Sequence, residues 1–288
     1  MIQRIRVLLP LAALAGMLFA QGPKILIVTD MEGVAGINDP DEQLTPGQRR
    51  FEEARRLLHG EVNAAVDGAF QGGASEVIVW DGHDGSRTLS VDLINNRAKL
   101  LQGRRTPTTY YFSEKLYDGV MFVGQHSMAG TKNGILCHTQ SFTVESITIN
   151  GKPVGELGQV AAIAGHYHIP VIMLSGDEAA CAEMRALQPK AETAAVKQLV
   201  GTVSMLSVSH ERARQLIQGA AARAVQRTKE FTPWIIEGPV EMKITMYPES
   251  PGVPTAVLNK SESKQYAPRV VSYRGRNVQE VYEAWLGR

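Results

Sequence analysis

Short apolar runs rich in β-branched residues alternate along this chain with longer stretches of helical periodicity, and few folds accommodate that alternation. Lys24–Thr29 (KILIVT) is the first run. Its unbroken apolar character suits a strand buried on both faces, as in a parallel sheet. Glu52 to Gln71 follows, with Ala54, Leu57, Leu58, Val62, Ala65, Val66 and Ala69 along one helical face, and Gly72-Gly73 supplies its stop. Ser75–Trp80, Asp118–Val123 and Pro170–Leu174 are further strand-like runs. Ser146–Val154 contains Asn150-Gly151, the dipeptide of a tight hairpin turn. Leu157–His166 has helical spacing. The pattern predicts an α/β fold, a mainly parallel central sheet flanked by helices.

From about Val203 the texture changes. Glu211–Lys229 reads as a long Ala/Arg/Gln helix capped by Ser209. Strand-like pieces follow at Val240–Tyr247 and Thr255–Leu258, among Pro248, Pro251 and Pro254, and Val278–Leu286 reads as a final helix. The expected organisation is therefore a larger α/β domain over 21–202 and a smaller C-terminal α+β region over 203–288.

The first twenty residues stand apart. Arg4 and Arg6 precede an uncharged apolar stretch from Val7 to Ala20. A membrane span needs about 20 apolar residues, whereas a secretory signal needs a shorter core ending in a small residue such as Ala20. Residues 1–20 are expected to be a signal peptide, and the rest a protein exported to the periplasm or secreted, with no membrane partner after cleavage.

Composition narrows the function classes. The 30 Lys and Arg offset 29 Asp and Glu, so no basic excess exists to hold a nucleic acid. Two Cys among 288 residues make neither a disulfide scaffold nor a thiolate zinc module.

The chemistry collects where the strands end. The first runs into Asp30-Met31-Glu32-Gly33, the second into Asp81-Gly82-His83-Asp84 and the third into Gly124-Gln125-His126. In an open parallel sheet the carboxyl ends of the strands form one rim, where ligands bind. Asp30 and Glu32 are two apart, so in extended chain they leave the backbone on the same side. Oxygen and imidazole donors without thiolate suit zinc, with manganese or cobalt as alternatives. Glu156 is a further candidate carboxylate, and His138 a candidate for proton transfer. Taken singly, Asp30 and Asp81 are equally readable as turn caps, and Asp84 and Asp177 read better as caps than as ligands. His59, His166, His168 and His210 read as structural.

These segments resemble a known family. Asp-Met-Glu-Gly-Val-Ala-Gly (30–36), Asp-Gly-His (81–83), Gly-Gln-His (124–126), His138, Pro-Val-Gly-Glu-Leu-Gly (153–158) and Thr-Ala-Ala-Val-Lys-Gln (193–198) resemble the zinc-dependent D-aminopeptidases, in order, over roughly residues 24–285. The resemblance implies a two-zinc aminopeptidase acting on short peptides with an N-terminal D-residue of the D-Ala type. It implies Asp30 as the bridging ligand, Glu32, His83, His126 and Glu156 as the other zinc ligands, and His138 as a catalytic histidine. It also implies a homo-oligomer, as a decameric ring. Lys197 lies in a recurrent motif without a secure role and is expected on a helix surface. Two features depart from the pattern. The type member is cytoplasmic, whereas residues 1–20 read as an export signal. Cys137 and Thr139 also flank His138 in place of small hydroxyl residues. Export makes cell-wall peptides the expected substrate source. Two other readings fit the same metal rim: another extracytoplasmic metallohydrolase, amidase or phosphoesterase, and a non-catalytic metal- or peptide-binding protein.

Overall fold

The structure is a computed structural model and describes residues 21–103, 112–113, 116–202, 204–248 and 269–287. The expected signal peptide and the strand expected at 255–258 lie outside the described residues.

The chain begins with β1 (Lys24–Thr29), a helical turn α1 (Pro40–Gln43) and the long α2 (Phe51–Gln71). Then come β2 (Glu76–Asp81), β3 (Lys99–Leu101), β4 (Gly119–Gln125) and the hairpin β5–β6 (Val144–Ile149, Lys152–Pro153). The middle of the chain holds α3 (Glu156–His166), β7 (Val171–Asp177), α4 (Glu178–Leu187), β8 (Glu192–Val200) and β9 (Ser204–Ser207). The last elements are α5 (His210–Gln226), β10 (Val240–Met246), β11 (Arg269–Gly275) and α6 (Val278–Trp285).

The expected α/β architecture is what forms. A seven-stranded sheet runs in the order β3-β2-β1-β4-β7-β8-β9, parallel throughout except for the antiparallel edge strand β9. Every residue of β4 and of β7 is buried, because helices and a second sheet cover both faces. On one face α2 and α5 pack together, burying Leu58, Val62 and Ala65 with Ile217, Ala220 and Ala221. On the other lie α3, α4, α6 and an antiparallel sheet ordered β11-β10-β5-β6, with Ile147, Leu157, Met184, Met242 and Val281 in one apolar cluster. The stretch after residue 202 is shared between the layers. Its β9 and α5 complete the large sheet and its cover, and β10 and β11 pair with β5 from the chain's middle.

Side-chain caps set several boundaries. Asp177 accepts from the Ala180 amide at 2.8 Å, Ser209 from Arg212 and Asn277 from Glu280, so Asp177 is a cap as its sequence position indicated. Strand order reverses beside β1: the chain moves to β2 and β3 on one side, then crosses to β4 on the other. A crevice opens at such a reversal, at the carboxyl ends of the two strands. Asp30 follows β1, and Gln125 and His126 end β4.

Candidate metal centre

The loop after β1 is stitched to the end of β4. The Asp30 amide donates to the Val123 carbonyl at 2.8 Å, and the Gly33 amide to Gly124 at 2.7 Å. The approach needs two glycines. A Cβ on Gly33 would lie 2.1 Å from the Gln125 oxygen, and one on Gly124, whose φ is +77°, would lie 2.1 Å from the Asp30 oxygen. At the end of β2, the wholly buried Asp81 accepts from the amides of Thr88 and Leu89, each at 2.9 Å. Asp81 therefore shapes the turn that carries His83, and it falls in neither cluster of candidate ligands. Asp84 pairs with Arg87 at 3.1 Å, and His59 is tied between the Arg55 carbonyl and the Ser90 amide. His59 fills the structural role expected of it, whereas Asp84, expected as a cap, makes an ion pair instead.

Around the crevice the candidates fall into two groups, Asp30–Glu32–His83 and His126–His138–Glu156. Within each group the donor atoms lie within 4.8 Å of one another. Asp30 links them: its Oδ1 is 3.0 Å from His83 Nδ1, and its Oδ2 is 3.2 Å from His126 Nε2. Glu32 Oε2 lies 3.2 Å from the same His83 nitrogen. Glu156, at the first position of α3, places Oε1 3.6 Å from His126 Nε2 and 3.7 Å from His138 Nε2. The α3 N-terminus favours that carboxylate.

Each imidazole has one nitrogen committed to a backbone carbonyl. His83 donates through Nε2 to Leu44 (2.8 Å), His126 through Nδ1 to Ser127 (2.9 Å) and His138 through Nδ1 to Leu136 (2.8 Å). A carbonyl only accepts, so those nitrogens carry the hydrogens. The opposite nitrogens face the carboxylates, and His126 Nε2 is buried without a hydrogen-bond partner. An imidazole oriented by a carbonyl, with its other nitrogen turned to carboxylate oxygens, is the arrangement of a metal ligand. The donor set and the orphaned nitrogen therefore fit a divalent cation.

The electrostatics agree. Burial by itself would raise the Asp30 pKa, yet the contacts with His126 and His83 hold it far below the usual carboxylate range. Burial likewise opposes charge on His83 and His126, but Glu32 and Asp30 for the one, and Glu156 and Asp30 for the other, keep both well above the ordinary imidazole value. Glu156 is lowered, since His126 and His138 outweigh its burial. Buried carboxylates thus demand positive charge, which an incoming cation supplies as it releases the imidazole protons.

Behind the first group lies a residue whose expected place was wrong. Lys197 is not on a helix surface. It sits in β8, buried, and its Nζ donates to the carbonyls of Glu32 and of Ile37, the latter at 2.5 Å. No local pattern signalled this, for the neighbours Val196 and Lys197 are both buried and β8 does not alternate there. Burial lowers its pKa to about 8 against the pull of Asp177, Glu61, Glu32 and Asp30. Glu61, also unremarked in the sequence, accepts from the Ala35 amide at 2.9 Å and is raised by burial to about 7. It lies on the apolar stripe of α2 between Leu58 and Ala65, where an acid is out of place. Gln125 donates to Asp30 Oδ2 at 3.2 Å.

The groups open onto a cleft of about 1110 Å³. Glu156, Gln159, Val160 and Ile163 line it along α3, and Trp80 and Trp285 contribute aromatic wall. Cys137 and Cys181 are unpaired thiols.

Comparison with known proteins decides the family. Residues 24–286 match the model of the D-aminopeptidase family M55. The chain belongs to that family. A D-aminopeptidase of Bacillus subtilis (strain 168) is 34% identical over 211 residues, 73% of this chain and 76% of that protein. Among solved structures, a zinc-dependent D-aminopeptidase from Bacillus subtilis, described as a self-compartmentalizing protease, superposes with a TM-score of 0.76. It is 28% identical, and the match covers 92% of this chain and 96% of that one. The resemblance read from the motifs is thereby borne out.

Proposed function

We propose that this protein is a zinc-dependent D-aminopeptidase that uses two zinc ions, removing the N-terminal residue of short peptides that begin with a D-amino acid of the D-Ala type. The observation that carries the reading is the orientation of His83 and His126, each tied to a carbonyl through one nitrogen and facing Asp30 through the other. Asp30, Glu32 and His83 would hold one ion. Asp30, His126 and Glu156 would hold the other, with Asp30 shared. Zinc bound there supplies a Lewis acid that polarises the scissile carbonyl and makes water a nucleophile near neutral pH.

The chain's own groups do the rest. His138 has its Nδ1 hydrogen committed to Leu136, so its Nε2 can accept a proton from the attacking water and return it to the leaving amine. Stacking on His126 and contact with Phe142 hold the ring in place. Carboxylates at the cleft attract the substrate's α-ammonium, and Trp80, Val160, Ile163 and Trp285 shelter apolar parts of the peptide from water. A second role for His138 rests on its distance of 3.7 Å from Glu156 Oε1, close enough to serve as a further ligand. The metal content of a His138 variant separates the two roles.

The relative described as self-compartmentalizing supports a homo-oligomer, and a ring is the specific form taken in this reading. Export rests on residues 1–20, and would place cell-wall peptides within reach of the enzyme. The test is elemental analysis of the purified protein together with release of amino acid from D- and L-aminoacyl p-nitroanilides, D-Ala-D-Ala and cell-wall peptides. Stoichiometric zinc with chelator-sensitive, D-selective turnover is expected. Metal-free protein, or turnover of p-nitrophenyl phosphate alone, would overturn the reading.

A further inference from the structure

Lys197 is a buried cation that the reaction does not use. Its strand, β8, lies beside β7, and the register sets Lys197 next to Asp177. Its Nζ donates to two carbonyls in the loop after β1, those of Glu32 and Ile37. Glu61 reaches the same loop from α2, holding the Ala35 amide through Oε1 while Oε2 has no hydrogen-bond partner. Asp177 spends Oδ1 on the α4 cap, and its Oδ2 is likewise buried and unpartnered. One ammonium thus stands among three carboxyl-bearing segments, and its direct hydrogen bonds run to the loop's backbone.

Desolvating an ammonium costs several kcal/mol, and a neutral donor would satisfy two carbonyls more cheaply. A charge adds something else. Asp30 and Glu32 both approach His83 Nδ1, at 3.0 and 3.2 Å, and two carboxylates held that close repel each other. A fixed cation behind the Glu32 carbonyl offsets that repulsion, and its two hydrogen bonds restrict the loop's freedom to relax.

We propose that Lys197 is a positioning residue for the metal centre, tethering the 32–37 loop so that Asp30 and Glu32 are presented together before a cation arrives. The proposal rests on reading Asp30 and Glu32 as zinc ligands. Groups that orient ligands without touching the metal typically contribute about 10- to 100-fold in affinity.

The test is zinc affinity by chelator competition, alongside circular dichroism and thermal unfolding of the metal-free chain, for wild type and Lys197→Met. The variant is expected to fold as wild type does, to bind zinc about 10- to 100-fold more weakly, and at saturating zinc to show reduced kcat with little change in KM. Should Lys197→Met not fold, Lys197→Met with Glu61→Gln removes both buried charges and still lacks the tether, so weak zinc binding is expected there too. Wild-type zinc affinity in either folded variant would overturn the proposal. Asp30→Ala keeps the two readings apart. If it retains full zinc, the ligand assignment itself fails; if it loses zinc while Lys197→Met does not, only the positioning role fails.

Discussion

The imidazoles of His126 and His138 stack with their centroids 4.0 Å apart and their planes within 15°. One ring turns its free nitrogen to Asp30, the other to the open cleft beside Glu156. The proposed function divides the labour between them, assigning metal to His126 and the proton to His138. His138→Ala is therefore expected to lower kcat/KM by about 10²–10⁴-fold while zinc per subunit stays at the wild-type value. Loss of one zinc equivalent in that variant would make His138 a ligand instead.

Asp30 should behave differently, because each of its oxygens faces a different histidine. Asp30→Ala is expected to lose zinc and activity together. Titration with zinc, followed by elemental analysis after desalting, reads this directly, and activity surviving without bound metal would refute it.

The two glycines at the β1–β4 seam should tolerate no side chain. In Gly124→Ala the new methyl would meet the Asp30 carbonyl at 2.1 Å on a backbone with φ of +77°. Overpacking and left-handed strain together predict a loss of about 3 kcal/mol, measurable by denaturant unfolding. An unchanged unfolding midpoint would show that the seam can open without cost.

Glu183 offers a pH signature from a residue outside the candidate ligand set. Burial raises its pKa to about 7 against the hydrogen bonds it accepts from the Met128 and Gly155 amides. Its folded-state value lies above the unfolded one near 4.5, so its contribution to stability is complete below about pH 4.5 and lost as pH rises through about 7. Glu183→Gln removes that loss. The melting temperature of the variant minus that of wild type should climb between pH 4.5 and 7 and level off above, and a flat difference would contradict it.

Trp285, at the end of α6, contributes aromatic wall to the cleft. Trp285→Ala should raise KM for peptide substrates about 10-fold or more, the scale of losing one buried aromatic contact, with zinc content unchanged. Equal KM values would place the peptide elsewhere.

Much of this was legible in the chain. Lys24–Thr29 and Pro170–Leu174 are apolar runs too short for helices, and both became central parallel strands, since a strand buried on both faces has no polar side to display. Asp30, Glu32, His83 and His126 were picked out because each follows such a run, and Glu156 because it opens the next helical stretch; the structure gathers all five. Lys197 was misplaced because one Lys in a mixed Ala/Val/Gln stretch satisfies helix and strand alike. Whether it faces solvent or core depends on β7 beside it, which local pattern cannot report. Glu61 went unnoticed for the related reason that helical periodicity does not say what packs over the helix.

Sequence alone determined the alternation of strands and helices, and with it which residues stand at strand ends. Those properties follow from the period of the backbone, 2 or 3.6 residues, and so are written locally. Only the tertiary structure decided that the sheet order reverses at β1 and β4, turning scattered residues into one centre. It also decided which nitrogen of each histidine is free, because the carbonyls of Leu44, Ser127 and Leu136 that claim the other nitrogen are set by the folded loops. Lys197 lies 165 residues from the loop it holds. Contacts across such separations depend on how the chain closes in space, and no window of sequence contains them.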